Sequence, residues 1–345
     1  MTAKSTKPTV KATKAVATTK KLTSSARTKA ASETQHHPLA HLIPNQVRYD
    51  QYSGRKIGGV SDLEVLQQAF DGRHNVAIYG PTGCAKTTLV YALGYLLGLP
   101  VFSMPCNGAA DPSFIFGGYQ PNADGTFTLR PGPGYYIAKY GGIWLLDEFN
   151  FLPPRIGAVM HGCLDSRRMM VIPEFAGATD LDAMGNPIES IFKLHPKCMF
   201  VATWNPGYAG TYAMNAAMLN RFGHKFRFDY MRSVENELCE SGHLLDMADA
   251  LRKAVNAGTL RTPISTNSLM EFEEFAKNET LGIGYASENF LNMFSEDERK
   301  TVSEVLANYI DKITVDLMSD EEYSVLNDGP DDDDFDDDDD DEEDN

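Results

Sequence analysis

The stretch from residue 76 to residue 88 constrains the fold of this chain more than any other. It begins as an apolar run, Val-Ala-Ile-Tyr, and breaks into a glycine-rich turn that ends in Lys86-Thr87-Thr88. The run predicts a buried strand, and residues 85–97 predict a helix. Backbone N–H groups of such a turn, together with the helix N-terminus, are suited to binding an anion. The stretch therefore predicts a phosphate-binding loop, and a glycine-rich turn without a ligand is the alternative.

Individual residues of this loop have expected roles in nucleotide binding. Lys86 is placed to reach the β- and γ-phosphates, and the Thr87 hydroxyl is placed to bind Mg²⁺. The usual pattern has glycine immediately before the lysine, whereas this chain has Ala85 there. We expect the whole loop to contribute to nucleotide binding: Gly80, Pro81, Thr82, Gly83, Cys84, Ala85, Lys86, Thr87 and Thr88.

A second apolar run ends in two acids. Residues 143–146 are Ile-Trp-Leu-Leu, and Asp147 and Glu148 follow. A strand buried on both faces of a parallel sheet is a continuous apolar run, and ligands lie at its carboxyl end. Asp147 is thereby placed to hold Mg²⁺, directly or through water, and Glu148 to orient and deprotonate the attacking water. Taken alone, the pair is also typical of a strand end followed by a helix cap.

Two polar residues further along the chain are candidates for the same site. Asn205 ends the apolar run 199–204, where it is placed to hydrogen-bond the γ-phosphate or the attacking water. Its alternative role is to open the turn before Pro206. Arg221 follows a short helical stretch. A lone arginine there is usually part of a surface salt bridge, but in a ring-forming ATPase it would act as an arginine finger on the neighbouring subunit.

Together these motifs resemble those of MoxR-type AAA+ ATPases, in the branch that contains CbbQ, NorQ and the small AAA+ subunit of cobaltochelatase. Alanine before the lysine also occurs in MoxR proteins, so Ala85 is compatible with an active site. The resemblance covers about residues 50–317. It rests on the loop 80–87, on Leu145-Leu146-Asp147-Glu148-Phe149-Asn150, on Ala202-Thr203-Trp204-Asn205-Pro206-Gly207-Tyr208 with Gly210-Thr211-Tyr212, and on Leu219-Asn220-Arg221-Phe222.

The resemblance implies a role for each matching residue. It implies that ATP and Mg²⁺ bind at Lys86, Thr87 and Asp147. It also implies catalysis by Glu148, sensing of the γ-phosphate by Asn205 and an arginine finger at Arg221.

The lid of this family departs from its usual pattern in this chain. Relatives often carry a sensor arginine at the start of a lid helix. Residues 264–269 are Ile-Ser-Thr-Asn-Ser-Leu, so Asn267 stands where that arginine would be. Asparagine supplies no positive charge, and lid closure is therefore expected to be weaker or to use another group. Arg261 is a candidate for that group, and an ordinary loop charge is the alternative.

Two insertions have the pattern of β-hairpins. Residues 117–134 alternate apolar and polar residues around glycine turns, which predicts a hairpin that interrupts the second helix. Residues 167–195 predict another hairpin, with Asp180–Asn186 as its loop. In MoxR-type and related proteins such hairpins line the pore of the ring or face a partner. Ordinary surface hairpins are the alternative.

The order of the elements predicts the fold class. Apolar strand-like runs alternate with helical segments between residues 75 and 228, which indicates an α/β fold with a parallel sheet. Beyond Ser233 the strand pattern stops, and helical spacing covers residues 234–256, 266–277 and 298–317. The predicted organisation is a disordered basic tail and linker (1–45), an AAA+ α/β nucleotide-binding domain (46–230), a small helical lid domain (231–318) and a disordered acidic tail (319–345).

The predicted tails carry opposite charges. Residues 1–31 contain eight Lys or Arg and no acid, and residues 328–344 contain fourteen Asp or Glu. The basic stretch has too few large apolar residues to fold. Its alternatives are tethering to nucleic acid, pairing with the acidic tail, and a targeting peptide. The acidic stretch is either a solubilising coil or a segment that docks on a basic partner.

Charge and cysteine content limit the binding partners and the cellular compartment that we expect for the protein. The net charge is −17, and removing both tails leaves −11 for the folded part, which argues against strong affinity for duplex DNA. Five widely spaced cysteines indicate a reducing compartment. No run approaches the ~20 apolar residues that span a membrane. We therefore expect a cytoplasmic protein that does not bind a membrane.

The sequence favours an ATP-hydrolysing AAA+ motor that acts as a homo-oligomeric ring, expected to be a hexamer. It would remodel or activate a partner protein or enzyme. In relatives the client is often an enzyme awaiting activation or insertion of a metal or cofactor, recruited through a von Willebrand A-type partner. One alternative is a nucleic-acid-dependent motor, helicase-like or packaging, suggested by the basic tail and the hairpins. The other is a nucleotide-binding scaffold with little turnover, suggested by Ala85 and Asn267.

Overall fold

The computed structural model describes residues 36–107, 111–152, 154–206 and 216–318, except the side chains of residues 154, 155, 158 and 159. Within these ranges the chain forms two compact units that meet between Glu237 and Leu238. The first is an α/β unit and the second is helical. The predicted basic and acidic tails, at 1–31 and 328–344, lie outside the described residues.

The described part of the chain contains eleven strands and thirteen α-helices, together with three short 3-10 helices. The strands are β1 (Lys56–Ile57), β2 (Val60–Ser61), β3 (Val76–Tyr79), β4 (Val101–Pro105), β5 (Gly117–Pro121), β6 (Phe127–Pro131), β7 (Gly142–Asp147), β8 (Met169–Val171), β9 (Ile191–Lys193), β10 (Cys198–Trp204) and β11 (His224–Arg227). The helices of the first unit are α1 (Gln46–Asp50), α2 (Asp62–Asp71), α3 (Lys86–Leu97), α4 (Pro112–Phe116), α5 (Pro133–Tyr140), α6 (Pro154–Leu164), α7 (Ala216–Leu219) and α8 (Arg232–Leu238). Those of the second unit are α9 (Gly242–Asn256), α10 (Thr266–Ala276), α11 (Gly282–Leu291), α12 (Glu296–Ala307) and α13 (Ile310–Leu317).

A five-stranded parallel sheet forms the centre of the first unit, in the order β11-β3-β10-β7-β4. All seven residues of β10 are buried, as are the first five of β7. Such continuous apolar strands require cover on both faces of the sheet. The predicted fold class, a parallel α/β sheet followed by a helical part, is confirmed.

Helices supply this cover from both sides. On one face, α2 and α3 contribute leucines that pack against Ile143, Val201 and their neighbours. On the other face, α5 and α6 pack with Trp144 and Phe200 in a second apolar cluster. Because each face is sealed, polar groups of the sheet reach solvent mainly at the strand ends. Any ligand site of this unit is therefore expected at an edge of the sheet.

Both predicted hairpins are present. β5 and β6 pair antiparallel between α4 and α5, and β8 and β9 pair antiparallel before β10. The loop of the second hairpin is fastened by Asp182, which is 6% exposed. Its carboxylate accepts hydrogen bonds from the Tyr140 hydroxyl and from the backbone of Met184 and Asn186. The loop therefore has a defined shape while it exposes Leu181 by 60%.

The helical unit differs from the predicted helices at two places. Residues 234–256, predicted as one helix, are divided between α8 and α9. The break is capped, since the Ser241 side chain accepts from Leu244 N and Glu273 accepts from the backbone of Glu240 and Ser241. Residues 298–317 are likewise divided, because α12 ends before Asn308 and α13 begins at Ile310. The helix α11 has no counterpart among the predicted helices.

Residues 36–45, which the sequence assigns to a linker, pack on the α/β unit. Leu39 is 7% exposed and belongs to its apolar core. The ring of His37 lies 3.0 Å from the carbonyl oxygen of Gly141 and accepts the backbone N–H of Leu39 at 2.9 Å. Across the described ranges, no helix combines the length and apolar character needed to cross a membrane.

Candidate nucleotide-binding site

The predicted phosphate loop leaves the carboxyl end of β3, next to β10 and β11. Its first residue, Gly80, has φ of +157° and lies against the chain that follows β11. A Cβ at this position would come within 2.1 Å of the carbonyl oxygen of Phe228. Glycine is therefore required here by a close backbone approach, and this approach fixes where the loop begins.

Lys86 lies buried inside the loop. Its Nζ donates to the carbonyl oxygens of Gly80 (3.0 Å) and Pro81 (2.6 Å) and to Oδ1 of Asn205 (2.7 Å). The side chain also lies 3.7 Å from the thiol of Cys84. Burial lowers the pKa of Lys86 and raises the pKa of that thiol. Among the described residues, the hydrogen-bond partners of this ammonium group are all uncharged.

Ala85 adopts an unusual backbone conformation immediately before Lys86. Its φ of +63° and ψ of +27° are left-handed, and it caps the N-terminus of α3. The predicted helix over residues 85–97 therefore begins one residue later, at Lys86. A residue with a Cβ is strained in this region by about 1–2 kcal/mol, whereas glycine is not. The structure thus explains why glycine is usual before the lysine.

The acidic pair lies at the carboxyl end of β7. The Thr203 hydroxyl of β10 donates to Oδ1 of Asp147, and the backbone N–H of Cys106 donates to the Asp147 carbonyl oxygen at 2.8 Å. Asp147 is thereby oriented by two neighbouring strands. Glu148 is exposed and left-handed, with φ of +56°. Its carboxylate is therefore free to face a reactant in solvent.

Asn205 and Asn150 connect the strand ends. Asn205 lies just past β10 and reaches Lys86, as described above. The Asn150 side chain is 5% exposed and donates to the carbonyl oxygen of Asn205 at 3.1 Å. The turn after Glu148 therefore supports the position of Asn205. The sequence pattern predicts no role for Asn150. Thr203 is a polar residue inside an apolar strand, and that position is a signal for a functional contact.

A buried arginine supports the loop from outside. Arg55 is 7% exposed and donates to the carbonyl oxygens of Cys84 (2.8 Å) and Asp229 (3.0 Å). Its guanidinium lies 4.2 Å from the ring centre of Phe228, and Asp62 lies 4.0 Å from its Nε. These contacts join the loop to the segment after β11. Nothing in the sequence around Arg55 indicates this role.

Arg221 lies at the amino-terminal end of the parallel strands, opposite the end that carries the phosphate loop. Its carbonyl oxygen accepts a hydrogen bond from Nδ2 of Asn75, the residue before β3. Its Nη1 donates to the Ala217 carbonyl oxygen at 2.6 Å. The phosphate loop follows the opposite end of β3, and four residues of strand extend about 13 Å. Within the described ranges the structure does not bring Arg221 together with the loop of its own chain.

Arg261 and Asn267 belong to the helical unit. The backbone N–H groups of Arg261 and Thr262 donate to Oε1 of Glu298, and the Thr262 hydroxyl donates to its Oε2 at 2.8 Å. This carboxylate fixes the backbone at the start of the predicted lid motif. The side chains of Arg261 and Asn267 are both exposed.

The residues at this edge fit a magnesium nucleotide. A buried ammonium whose hydrogen-bond partners are all uncharged is stabilised by an anion, and the N-terminus of α3 begins at the same residue. Thr87 and Asp147 offer hard oxygen donors, which Mg²⁺ prefers. Among the described residues there is no cluster of three or more His, Cys, Asp or Glu that could hold a metal. Few protein ligands suffice when phosphate oxygens supply the rest.

Comparison with known proteins identifies the type of domain that contains these residues. Residues 75–222 match the AAA domain of the dynein-related subfamily. An uncharacterized protein of Staphylococcus epidermidis is 31% identical over 169 residues, which cover 47% of this chain and 59% of that protein. The denitrification regulatory protein NirQ of Stutzerimonas stutzeri is 30% identical over 178 residues, which cover 51% of this chain and 59% of NirQ. The match thus spans less than two thirds of these relatives.

A solved structure of a candidate ATPase from Cytophaga hutchinsonii is 15% identical, with a TM-score of 0.40, and the similarity covers 85% of this chain and 88% of that one. The parallel sheet and the family match define an AAA domain in this part of the chain. Residues 75–222 therefore carry an AAA domain, and the similarity to NirQ agrees with the predicted resemblance to MoxR-type AAA+ proteins.

Proposed function

We propose that this protein is an ATP-hydrolysing AAA+ motor that works as a hexameric ring and remodels or activates a partner protein. The observation that carries the proposal is the contact between Lys86 Nζ and Asn205 Oδ1 at 2.7 Å. It unites the phosphate loop with the predicted γ-phosphate sensor at the sheet edge where Asp147 and Glu148 also lie.

Each residue at this edge has a task in the proposed reaction. Lys86 and the loop backbone bind the phosphates of ATP. Thr87 and Asp147 hold Mg²⁺, which neutralises charge on the phosphate oxygens when bound. Glu148 accepts a proton from the attacking water and orients it. Asn205 hydrogen-bonds the γ-phosphate and exchanges that bond for the one to Lys86.

A ring is supported by the position of Arg221. A transition-state arginine must lie near the transferring phosphoryl group, and Arg221 lies at the far end of β3 from its own loop. If a neighbouring subunit places its phosphate loop beside this end of the sheet, Arg221 would act on the nucleotide of that neighbour. The proposed assembly is therefore a homo-oligomer with sites shared between subunits.

The proposed client is a protein or enzyme, recruited directly or through a von Willebrand A-type partner. NirQ, which shares 30% identity, is described as a denitrification regulatory protein. That description supports a regulatory or activating role. Insertion of a metal or cofactor into an enzyme is one form that such activation takes. We also propose that the protein acts in the cytoplasm.

ATP turnover per subunit, measured over a series of protein concentrations, tests the proposal. Turnover that rises as subunits associate and disappears in Glu148→Gln supports a shared-site ring ATPase. The protein would be a scaffold instead if it binds nucleotide but its turnover does not change with protein concentration or with the Glu148→Gln substitution. This result would have to hold in the presence of candidate client proteins as well. Arg221→Ala is expected to keep nucleotide binding and lose turnover.

A further inference from the structure

Asn75 is a buried amide that joins three segments at the amino end of β3. It is 5% exposed, and its Nδ2 donates to the carbonyl oxygens of Leu164 (2.9 Å) and Arg221 (3.1 Å). Its own carbonyl oxygen accepts the backbone N–H of His224 at 3.3 Å. Main chain and side chain of Asn75 thus both hold the segment that contains Arg221.

The side chain of Arg221 makes one hydrogen bond within the described residues. Its charge also contributes, after the hydrogen bond from Arg167, to the lowered pKa of Asp165. Nη1 bonds to the carbonyl oxygen of Ala217 in the preceding helix, while Nε is buried and has no hydrogen-bond partner among the described residues. A buried donor without an acceptor is unfavourable. A different side-chain conformation that brings Nε to an acceptor would therefore be lower in free energy. The direction in which it leaves depends on how its backbone is fixed, and Asn75 is one of the groups that fix it.

We propose that Asn75 is a positioning residue for Arg221, which sets the aim of the arginine finger into the neighbouring subunit. The inference rests on the proposed function and adds a residue to it. Because misplacement of a catalytic group by about 1 Å can cost up to 100-fold, loss of the Asn75 amide is expected to lower turnover about tenfold or more. Nucleotide affinity is expected to stay within about twofold, since the loop follows the opposite end of β3.

A purely structural Asn75 would behave differently. Its bond to the Leu164 carbonyl satisfies one of the final carbonyl groups of α6, and this alone is a sufficient reason for a buried amide. In that case the substitution would weaken the sheet and the loop of its own subunit. The two roles therefore differ in which subunit of a shared site is affected.

Mixed rings separate the two roles. An Arg221→Ala subunit has a complete loop and no finger, and a Glu148→Gln subunit has a finger and an inactive site. Active sites in the mixture combine the loop of the first with the finger of the second. Asn75→Ala is placed in one parent and then in the other, with Asn75→Ser as a smaller perturbation. Exposed Asn308→Ala, which removes a single amide bond to the Glu304 carbonyl, is the matched control.

We expect Asn75→Ala to lower turnover of the mixture about tenfold when it is placed in the Glu148→Gln subunit, which supplies the finger. When it is placed in the Arg221→Ala subunit, which supplies the loop, we expect a loss of less than twofold. Thermal unfolding and nucleotide titration of each subunit confirm that both fold and bind. Equal losses in both positions, or a loss confined to the Arg221→Ala subunit, would overturn it. A parent mixture without turnover at any ratio would overturn the shared site itself, and that failure is seen before Asn75 is changed.

Discussion

The ring of Phe149 packs edge to face on the ring of Phe222, with their centroids 5.5 Å apart. Phe149 directly follows Glu148, and Phe222 directly follows Arg221. Both rings are buried, with exposures of 3% and 0%. The turn that carries the proposed catalytic carboxylate and the segment that carries the proposed finger therefore share one aromatic contact beneath the sheet.

Phe222→Ala is expected to destabilise the α/β unit by about 3–5 kcal/mol, because it leaves a cavity beside Phe149. Urea unfolding followed by circular dichroism measures the change. Phe127→Ala removes a ring that is 65% exposed in the first hairpin. It is expected to change stability by no more than about 0.5 kcal/mol. Similar losses from the two variants would contradict the burial of Phe222.

Lys86→Ala should abolish measurable binding of ATP, with affinity lowered about 100-fold or more, because a buried charged donor to the phosphates is lost. Titration with a fluorescent ATP analogue measures it. Lys139→Ala is the matched control, since Lys139 pairs with Glu189 at the hairpin and not with the loop. Tight binding by Lys86→Ala would remove the assignment of the phosphate loop.

The two ends of α3 allow a paired test of backbone strain. Ala85 before the helix and Gly98 after it are both left-handed, with φ of +63° and +62°. Ala85→Gly is expected to stabilise the unit by up to about 1 kcal/mol, and Gly98→Ala to destabilise it by about 1 kcal/mol. Unfolding midpoints in urea give both values. A loss of stability in Ala85→Gly would show that the strain at this position is not relieved by glycine.

Arg55→Met should destabilise the α/β unit by about 3–5 kcal/mol, because it removes the hydrogen bonds to the carbonyl oxygens of Cys84 and Asp229 and the positive charge 4.0 Å from buried Asp62. Asp62 is fully buried, and burial raises its pKa. The double variant Arg55→Met, Asp62→Leu removes both charges and should recover part of the loss. Urea unfolding of the three proteins forms the test. A double variant no more stable than Arg55→Met would indicate that the Arg55 bonds to the loop, rather than the ion pair, are decisive.

Glu298 should make the helical unit sensitive to acid. The backbone N–H of Arg261 and bonds from Ser295 and Thr262 lower the pKa of Glu298 from 4.5 to about 2. Since the folded pKa lies below the unfolded one, this stabilisation is complete above pH 4.5 and is lost as the pH falls towards 2. Glu298→Gln should lower the unfolding temperature at pH 7 and flatten its dependence on pH in that window. Exposed Glu296→Gln, on the same helix, should leave the profile unchanged.

The parts of the fold that follow from apolar patterning were predictable. The strands β3, β7 and β10 are continuous apolar runs, and a run of that kind has few alternatives to a buried parallel strand. Polar residues just past such runs must meet at one edge of the sheet. Lys86 and Asn205 illustrate this, since they are 119 residues apart in sequence and in direct contact in the structure.

Other features depend on contacts that no local pattern reveals. Arg55 lies in an unremarkable stretch, and its role arises only because the chain after β11 passes beside the phosphate loop. The breaks between α8 and α9 and between α12 and α13 fall inside continuous helical spacing. The first is capped by Glu273, which is distant in sequence, and apolar spacing carries no information about such a partner.

The loop that Asp182 fastens has a consequence for recognition. The Tyr136 hydroxyl accepts a hydrogen bond from the backbone of this loop, and the Tyr140 hydroxyl donates one to Asp182 and accepts one from Asn186. Both tyrosines belong to α5, so the conformation of the loop is coupled to a helix of the core. A molecule that contacts Leu181 or Met184 meets a surface whose shape exists before binding. Little conformational freedom would be lost on contact, and ill-fitting molecules would be rejected by shape instead of being accommodated.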